Sequence, residues 1–253
     1  MKQGPLTIVT GATRGLGQSL VEQLCAQGGH IVSISRRPVD GLAQKAQKAG
    51  SELTEILVDL VDAAALQEAA QQLTKTIAGS PARAQCRLIH NAGVVAPIEP
   101  ANALTDLSVI RTAFDINIAA PIYLTAHFLA ATEGCGDRRI MMVSSGAARN
   151  PVGSWGVYCA TKAAMDQFAK VIEAEGHANT RISSVAPGII DTGMQAEIRQ
   201  TPSEKFPSVG RFADMHSKGA LTNAADTAKM MLALLENESF GQKCLDDIRD
   251  YAK

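Results

Sequence analysis

Charge of either sign is missing as an excess: 24 Lys and Arg stand against 25 Asp and Glu in 253 residues, a formal net charge of −1. Such a balance offers no general attraction for nucleic acid or for an anionic membrane surface. There is no charged and apolar leader before the first expected strand, and no apolar run of ~20 residues, so neither a cleaved signal nor a membrane span is expected. The cysteines Cys25, Cys86, Cys135, Cys159 and Cys244 are scattered, odd in number and without C-x-x-C spacing. That pattern argues against a disulfide frame or a zinc site and fits a reducing cytoplasm. The histidines, His30, His90, His127, His177 and His216, form neither H-x-x-x-H nor H-E-x-x-H, and no metal is assigned. With no repeat, charge block or low-complexity linker, residues 1–253 are expected to form one α/β domain.

What the chain does have begins at Thr10-Gly11-Ala12-Thr13-Arg14-Gly15-Leu16-Gly17. An apolar run at 6–9 precedes it, and Leu16, Leu20, Val21 and Leu24 recur behind it at helical spacing, which reads as strand, glycine turn and helix start. A turn of this kind brings main-chain N–H groups and a helix N-terminus against a phosphate. Its spacing, G-x-x-x-G-x-G, differs by one residue from the commoner G-x-G-x-x-G dinucleotide fingerprint.

Further strands are expected at 30–35, 53–60, 87–91, 139–144 and 181–186, alternating with helices at 41–48, 63–77, 104–131 and 155–175. Pro81 falls in a loop after the third helix. Strand alternating with helix implies a doubly wound parallel sheet of about seven strands, helices on both faces, with right-handed crossovers. The second strand ends in Arg36-Arg37-Pro38, where an NAD-binding chain usually carries an acidic residue for the ribose 2′-hydroxyl. Guanidinium forks match a 2′-phosphate, and with Arg14 able to join them NADP(H) is favoured. Asp59, at the end of the third strand, is placed to reach an adenine amino group; as an N-cap it competes with Asp62. Asn91-Ala92-Gly93 closes the fourth strand, with Asn91 able to brace its neighbours through side-chain hydrogen bonds.

Tyr158 and Lys162 are four apart, hence one turn apart on one helix face. A nearby ammonium favours the phenolate, so the phenol is expected to titrate below its usual ~10. Ser145 closes the fifth strand, with Ser144 as the alternative, and Asn117 sits in an apolar segment that Pro121 interrupts, freeing the Asn117 carbonyl.

Taken together, Thr10 to Gly17, Asn91-Ala92-Gly93, Asn117, Ser145, Tyr158-Cys159-Ala160-Thr161-Lys162 and Pro187-Gly188 resemble the short-chain dehydrogenase/reductase family over about residues 6–192. The resemblance implies a Rossmann-type sheet, a nicotinamide cofactor and a catalytic tetrad of Asn117, Ser145, Tyr158 and Lys162. It also puts Ile190 and Thr192 against the nicotinamide carboxamide, and a water between Asn117 and Lys162. With the arginines and Asp59, the set expected to hold NADP(H) is Gly11, Thr13, Arg14, Gly15, Leu16, Gly17, Arg36, Arg37, Asp59, Leu60, Asn91, Ala92, Gly93, Tyr158, Lys162, Pro187, Gly188, Ile190 and Thr192. Segments 185–195 and 217–221 look most like sepiapterin reductases and bacterial benzil reductases.

The activity so implied is NADPH-dependent reduction of a ketone in a small-molecule substrate, a vicinal dicarbonyl. The alternatives are a 3-oxoacyl or other alcohol-forming ketoreductase of the same family, and a non-catalytic NADP-sensing protein. Substrate contacts are assigned to Ser145, Trp155, Met194 and Asp247, the last near the carboxylate that anchors a pterin in sepiapterin reductases. Residues 193–221, the longest irregular stretch, form the substrate region, with Phe206 and Phe212 as further walls. A homodimer or homotetramer is expected through the helices at 104–131 and 155–175.

Overall fold

Short unbroken apolar runs need cover on both faces, and a parallel sheet flanked by helices supplies it. The computed structural model describes residues 4–80 and 84–251; the loop position given to Pro81 lies outside them. Strands Leu6–Thr10 (β1), His30–Ser35 (β2), Glu52–Leu57 (β3), Gln85–His90 (β4), Asp137–Val143 (β5), Thr180–Ala186 (β6) and Leu245–Asp247 (β7) form one wholly parallel sheet. The helices are Gly15–Gln27 (α1), Leu42–Ala49 (α2), Ala63–Gly79 (α3), Leu107–Phe114 (α4), Ala120–Ala131 (α5), Gly156–Glu175 (α6), Gly193–Gln200 (α7), Val209–Ser217 (α8) and Ala224–Glu236 (α9).

Strand order is β3-β2-β1-β4-β5-β6-β7, so the winding reverses between β1 and β4. At that switch point the loops leaving the strand carboxyl ends part company and leave a crevice for a ligand. Register is set by apolar residues meeting across the sheet, Ile8 lying beside both Val32 and Leu88. On one face Leu20, Val21 and Leu24 of α1, Leu42 of α2 and Met231, Leu232 and Leu235 of α9 close over Val9, Ile31 and Ile89. On the other, Leu73 of α3, Leu124 and Phe128 of α5 and Met165, Ala169 and Ile172 of α6 close over Ile8, Leu88 and Ile140. Each large side chain so buried contributes about 1.5–3 kcal/mol.

Two consecutive arginines on β5 serve opposite faces, as the pleat requires. Arg138 Nη1 donates to the Leu129 carbonyl at 3.1 Å near the end of α5, and Arg139 Nη1 to the Leu235 carbonyl at 2.6 Å near the end of α9. Both guanidinium groups thus meet the negative end of a helix dipole.

The structure corrects several expectations. Residues 193–221 are not irregular: α7 and α8 occupy most of them. The helix expected over 104–131 begins at Leu107 and is not regular throughout. A π-helical turn, Asp115–Ala119, separates α4 from α5, and the Ala120 N–H reaches back to the Asp115 carbonyl. Pro121, with no N–H to donate, sits directly behind the wide turn, which lets the chain pass without forcing the ring into the helix. By length and composition Leu107–Ala131 does qualify as a membrane-spanning helix, contrary to expectation, but Leu124 and Phe128 spend its inner side on the sheet. The seventh strand is only Leu245-Asp246-Asp247, pairing through Ala186 with Asp247.

Candidate active site

β1 delivers the glycine turn to the crevice. Gly11 has φ +72°, a left-handed value that disfavours side chains, and its N–H donates to the Ile34 carbonyl at 2.8 Å. A Cβ on Gly17 would stand 2.1 Å from the Gly11 carbonyl oxygen and 2.4 Å from Asn91 Nδ2, so glycine is required there by close approach. Asn91 Nδ2 donates to the carbonyls of Thr10 and Gly11 at 3.1 and 3.0 Å, while Thr10 Oγ1 accepts from the N–H groups of Asn91 and Ala92. That is the bracing expected of Asn91. Arg14 precedes α1 with no side-chain cap, so the first N–H groups of that helix keep no partner within it and line the cavity. A dinucleotide phosphate fits such a cradle.

The chemical groups come from β5 and α6. Ser145 follows β5, and its Oγ accepts from the Ala147 N–H at 3.2 Å, which leaves its own proton to donate. Ser144 lines the cavity as well, but its hydroxyl donates at 2.6 Å to buried Asp166, which leaves the Ser145 hydroxyl as the one that reaches Tyr158. Tyr158 and Lys162 line the same cavity as Ser145, one turn apart on α6.

Burial raises the Tyr158 phenol above its ordinary value; the Ser145 hydroxyl, within hydrogen-bonding reach, opposes this, and Cys159 adds slightly to the rise. The expected depression by Lys162 is therefore corrected. The ammonium sits 5.8 Å from the ring centroid and donates at 2.8 Å to the Val143 carbonyl. Burial also lowers Lys162 to about 8, against the opposing pull of Asp166.

Asp166 lies one turn beyond Lys162, 5% exposed. It accepts from Ser144 at 2.6 Å, Ser184 at 2.7 Å and Arg149 Nε at 3.0 Å, tying the end of β5, β6 and the Ser145 loop together. Its negative charge holds Lys162 protonated. The alkaline limb of kcat/KM is expected near 8. Asp166→Asn removes the charge, so that limb should move to lower pH by about one unit, and an unmoved limb would show that Asp166 is structural only.

One cavity of about 620 Å³ runs along the strand ends, and nearly every expected cofactor residue lines it. Three expected site residues do not. Arg37 stands outside it, its carbonyl held by Ser35 Oγ at 2.8 Å. Asn117 is 2% exposed, its amide exchanging hydrogen bonds with Val94 N–H and carbonyl at 2.9 Å each and with Thr161 Oγ1 at 3.0 Å. It joins the loop after β4 to α6 from within the π turn, a positioning contact rather than a lining one.

Asp247 is the third. Its carboxylate is taken by Arg249, through Nε at 2.8 Å, Nη2 at 2.6 Å and the backbone N–H at 3.0 Å, so it is not a free substrate anchor. Trp155, Met194 and Phe212 do line the cavity. Phe206 is fully buried, stacked on Trp155 with ring centroids 5.4 Å apart, and supports the wall from behind. Asp59 lines the cavity, its Oδ1 accepting from Val61 N–H, while Asp62 caps α3, so the two candidate caps are told apart. The Arg14 guanidinium lies beside Gly193 at the start of α7, with Nη1 3.5 Å from the place of a Cβ there. Arg249, Arg211, Gln195 and Asn150 line the cavity unforeseen.

Residues 5–203 match the family described as short chain dehydrogenase. The chain belongs to that family. It is accordingly an oxidoreductase of a family that uses nicotinamide cofactors. The benzil reductase ((S)-benzoin forming) of Bacillus cereus is 36% identical over 239 residues, covering 93% of this chain and 95% of that protein. The sepiapterin reductase of Mus musculus is 29% identical over 243 residues, covering 92% of each chain. The solved structure of the KRED1-Pglu enzyme is 26% identical with a TM-score of 0.81, over 95% of this chain and 99% of that one. Each of these likenesses covers more than nine tenths of the chain, well beyond the residues that carry the motifs.

Proposed function

We propose that this chain is an NADPH-dependent carbonyl reductase acting on a vicinal dicarbonyl compound. The observation that carries the reading is a buried phenol that keeps its proton beside a serine hydroxyl, at the mouth of a glycine-walled crevice. A reduced nicotinamide, when bound, supplies the hydride that a carbonyl carbon accepts. The Ser145 hydroxyl donates to the carbonyl oxygen and holds it against Tyr158, which passes over its proton as general acid. Lys162, fixed by the Val143 carbonyl, keeps a positive charge near the phenolate left behind. The dicarbonyl preference draws support from the likeness to the Bacillus cereus benzil reductase, since benzil is a vicinal diketone. Loss of the reduced-nicotinamide absorbance with a panel of vicinal diketones tests the reading; no turnover of any of them with either coenzyme would overturn it.

Preference for NADPH rests on Arg36, which lines the cavity at the end of β2. Each charge-assisted contact to a 2′-phosphate is worth about 1.5–3 kcal/mol. Arg36→Ala should raise the KM for NADPH by roughly ten- to a hundredfold and leave that for NADH within a few-fold. Equal effects on the two coenzymes would remove the argument.

The apolar side chains of Leu107, Phe114, Ile122 and Val171, exposed on α4, α5 and α6, fit a second copy of the chain. Light scattering that gives a monomer at micromolar concentration would exclude this. The five thiols, none of them in a disulfide, suit a reducing cytoplasm.

A further inference from the structure

We infer that the substrate end of the cavity is built for a dicarbonyl compound that also carries a carboxylate. The inference rests on the reductase reading for the position of the reacting carbonyl, and on Arg249 and Arg211 for the rest. Arg249 follows β7, and its aliphatic stem lies against Gly188 in the turn after β6, with Cγ and Cδ both 3.8 Å from the place of a Cβ there. Its Nε and one N–H of Nη2 are spent on Asp247, which leaves both N–H groups of Nη1 and the second of Nη2 unspent. Arg211, near the start of α8, makes no side-chain hydrogen bond or ion pair with any described residue, and it lines the same cavity, as does Phe212.

Asp247 is the one carboxylate paired with either cation among the described residues, and it lies outside the cavity lining. Asp59 is the one carboxylate in the cavity lining among the described residues. It follows β3, at the opposite edge of the sheet, six strand spacings of ~4.8 Å or roughly 29 Å away. Asp247, already accepting three hydrogen bonds from Arg249, has turned the place of a free acid into a fork that presents donors. A substrate edge rich in N–H groups finds no free acceptor carboxylate there. A planar carboxylate finds two guanidinium groups, whose geometry it matches.

The test uses a matched pair, benzil and para-carboxybenzil, which share the reacting dicarbonyl and differ by one charge. Trp155 is the single tryptophan of the chain and lines the cavity, so its fluorescence reports binding of either compound to the NADP⁺-saturated protein. The acid is expected to bind at least about tenfold more tightly than benzil, as charge-assisted contacts imply. That ratio should fall to within about twofold in the Arg211→Ala, Arg249→Ala double variant, benzil serving as the reference inside each protein. Asp247→Asn, which releases the fork from its counter-charge, should widen the ratio.

Equal binding of the two compounds by the parent protein, or a ratio unchanged in the double variant, overturns the inference. Turnover keeps the two readings apart. Reduction of benzil without preference for the acid leaves the reductase standing and removes the anion site. Preferential binding of the acid without reduction of either compound does the reverse.

Discussion

In the Tyr158→Phe variant, kcat/KM for reduction of the best diketone should fall by a factor between about a hundred and ten thousand, the span that a positioned general acid contributes. The ring itself is held by packing that phenylalanine keeps: Tyr158 is 7% exposed and meets Trp155 edge-on with centroids 5.5 Å apart. Only the hydroxyl is lost, and with it the proton that burial keeps in place through neutral pH. The loss should therefore fall on kcat, with KM for the coenzyme and the melting temperature little changed. A variant within tenfold of the parent would mean that another group delivers the proton, and Ser145, the remaining hydroxyl at that point, would be the group to examine.

The parts of this site that could be read beforehand are those whose meaning is local. A glycine turn between a strand and a helix, two residues four apart on one helix, and an arginine directly after a strand carry their geometry in their spacing. Asp59 needed the structure to separate it from Asp62 as a cap, while Ser145, already preferred to Ser144 for its separation from Tyr158, was told apart by its contacts as well. What decided was Asp62 capping α3 and Ser144 turning to Asp166, contacts set by how the chain closes.

The direction of the phenol shift was legible least of all. Sequence spacing puts an ammonium one turn away, but the degree of burial, which outweighs it, is a property of the assembled core. The same holds for Arg249. It hangs on a three-residue strand, Leu-Asp-Asp, whose composition gives no alternation to detect, and Asp247 looks like a free acid until its partner two residues on is seen. The two helices within 193–221 are short, eight and nine residues; what holds them is Ile198 and Phe212 packing into the cluster around Trp155.

Gly17→Ala should abolish coenzyme binding and lower stability by about 3 kcal/mol, at the upper end of what overpacking costs. In an ordinary helix the same change gains up to ~1 kcal/mol, since alanine has the higher helix propensity, so the sign at Gly17 is decided by space alone. The added carbon would sit 2.1 Å from the Gly11 carbonyl oxygen, which cannot retreat: it accepts from Asn91 Nδ2 at 3.0 Å, and the Gly11 N–H is fixed to Ile34 at 2.8 Å. Relief has to come from moving α1 off the sheet or from breaking the Asn91 clamp, and either one opens the turn that lines the crevice. At about 2–4 °C per kcal/mol for a chain of this size, the melting temperature should drop by roughly 6–12 °C, and added NADP⁺ should no longer raise it. Gly210, inside α8 with open space where a Cβ would go, supplies the matched control: Gly210→Ala should melt at or slightly above the parent temperature and keep its response to NADP⁺. If both alanine variants behaved alike, the close approach of α1 to the Asn91 loop would not be what the glycine is for.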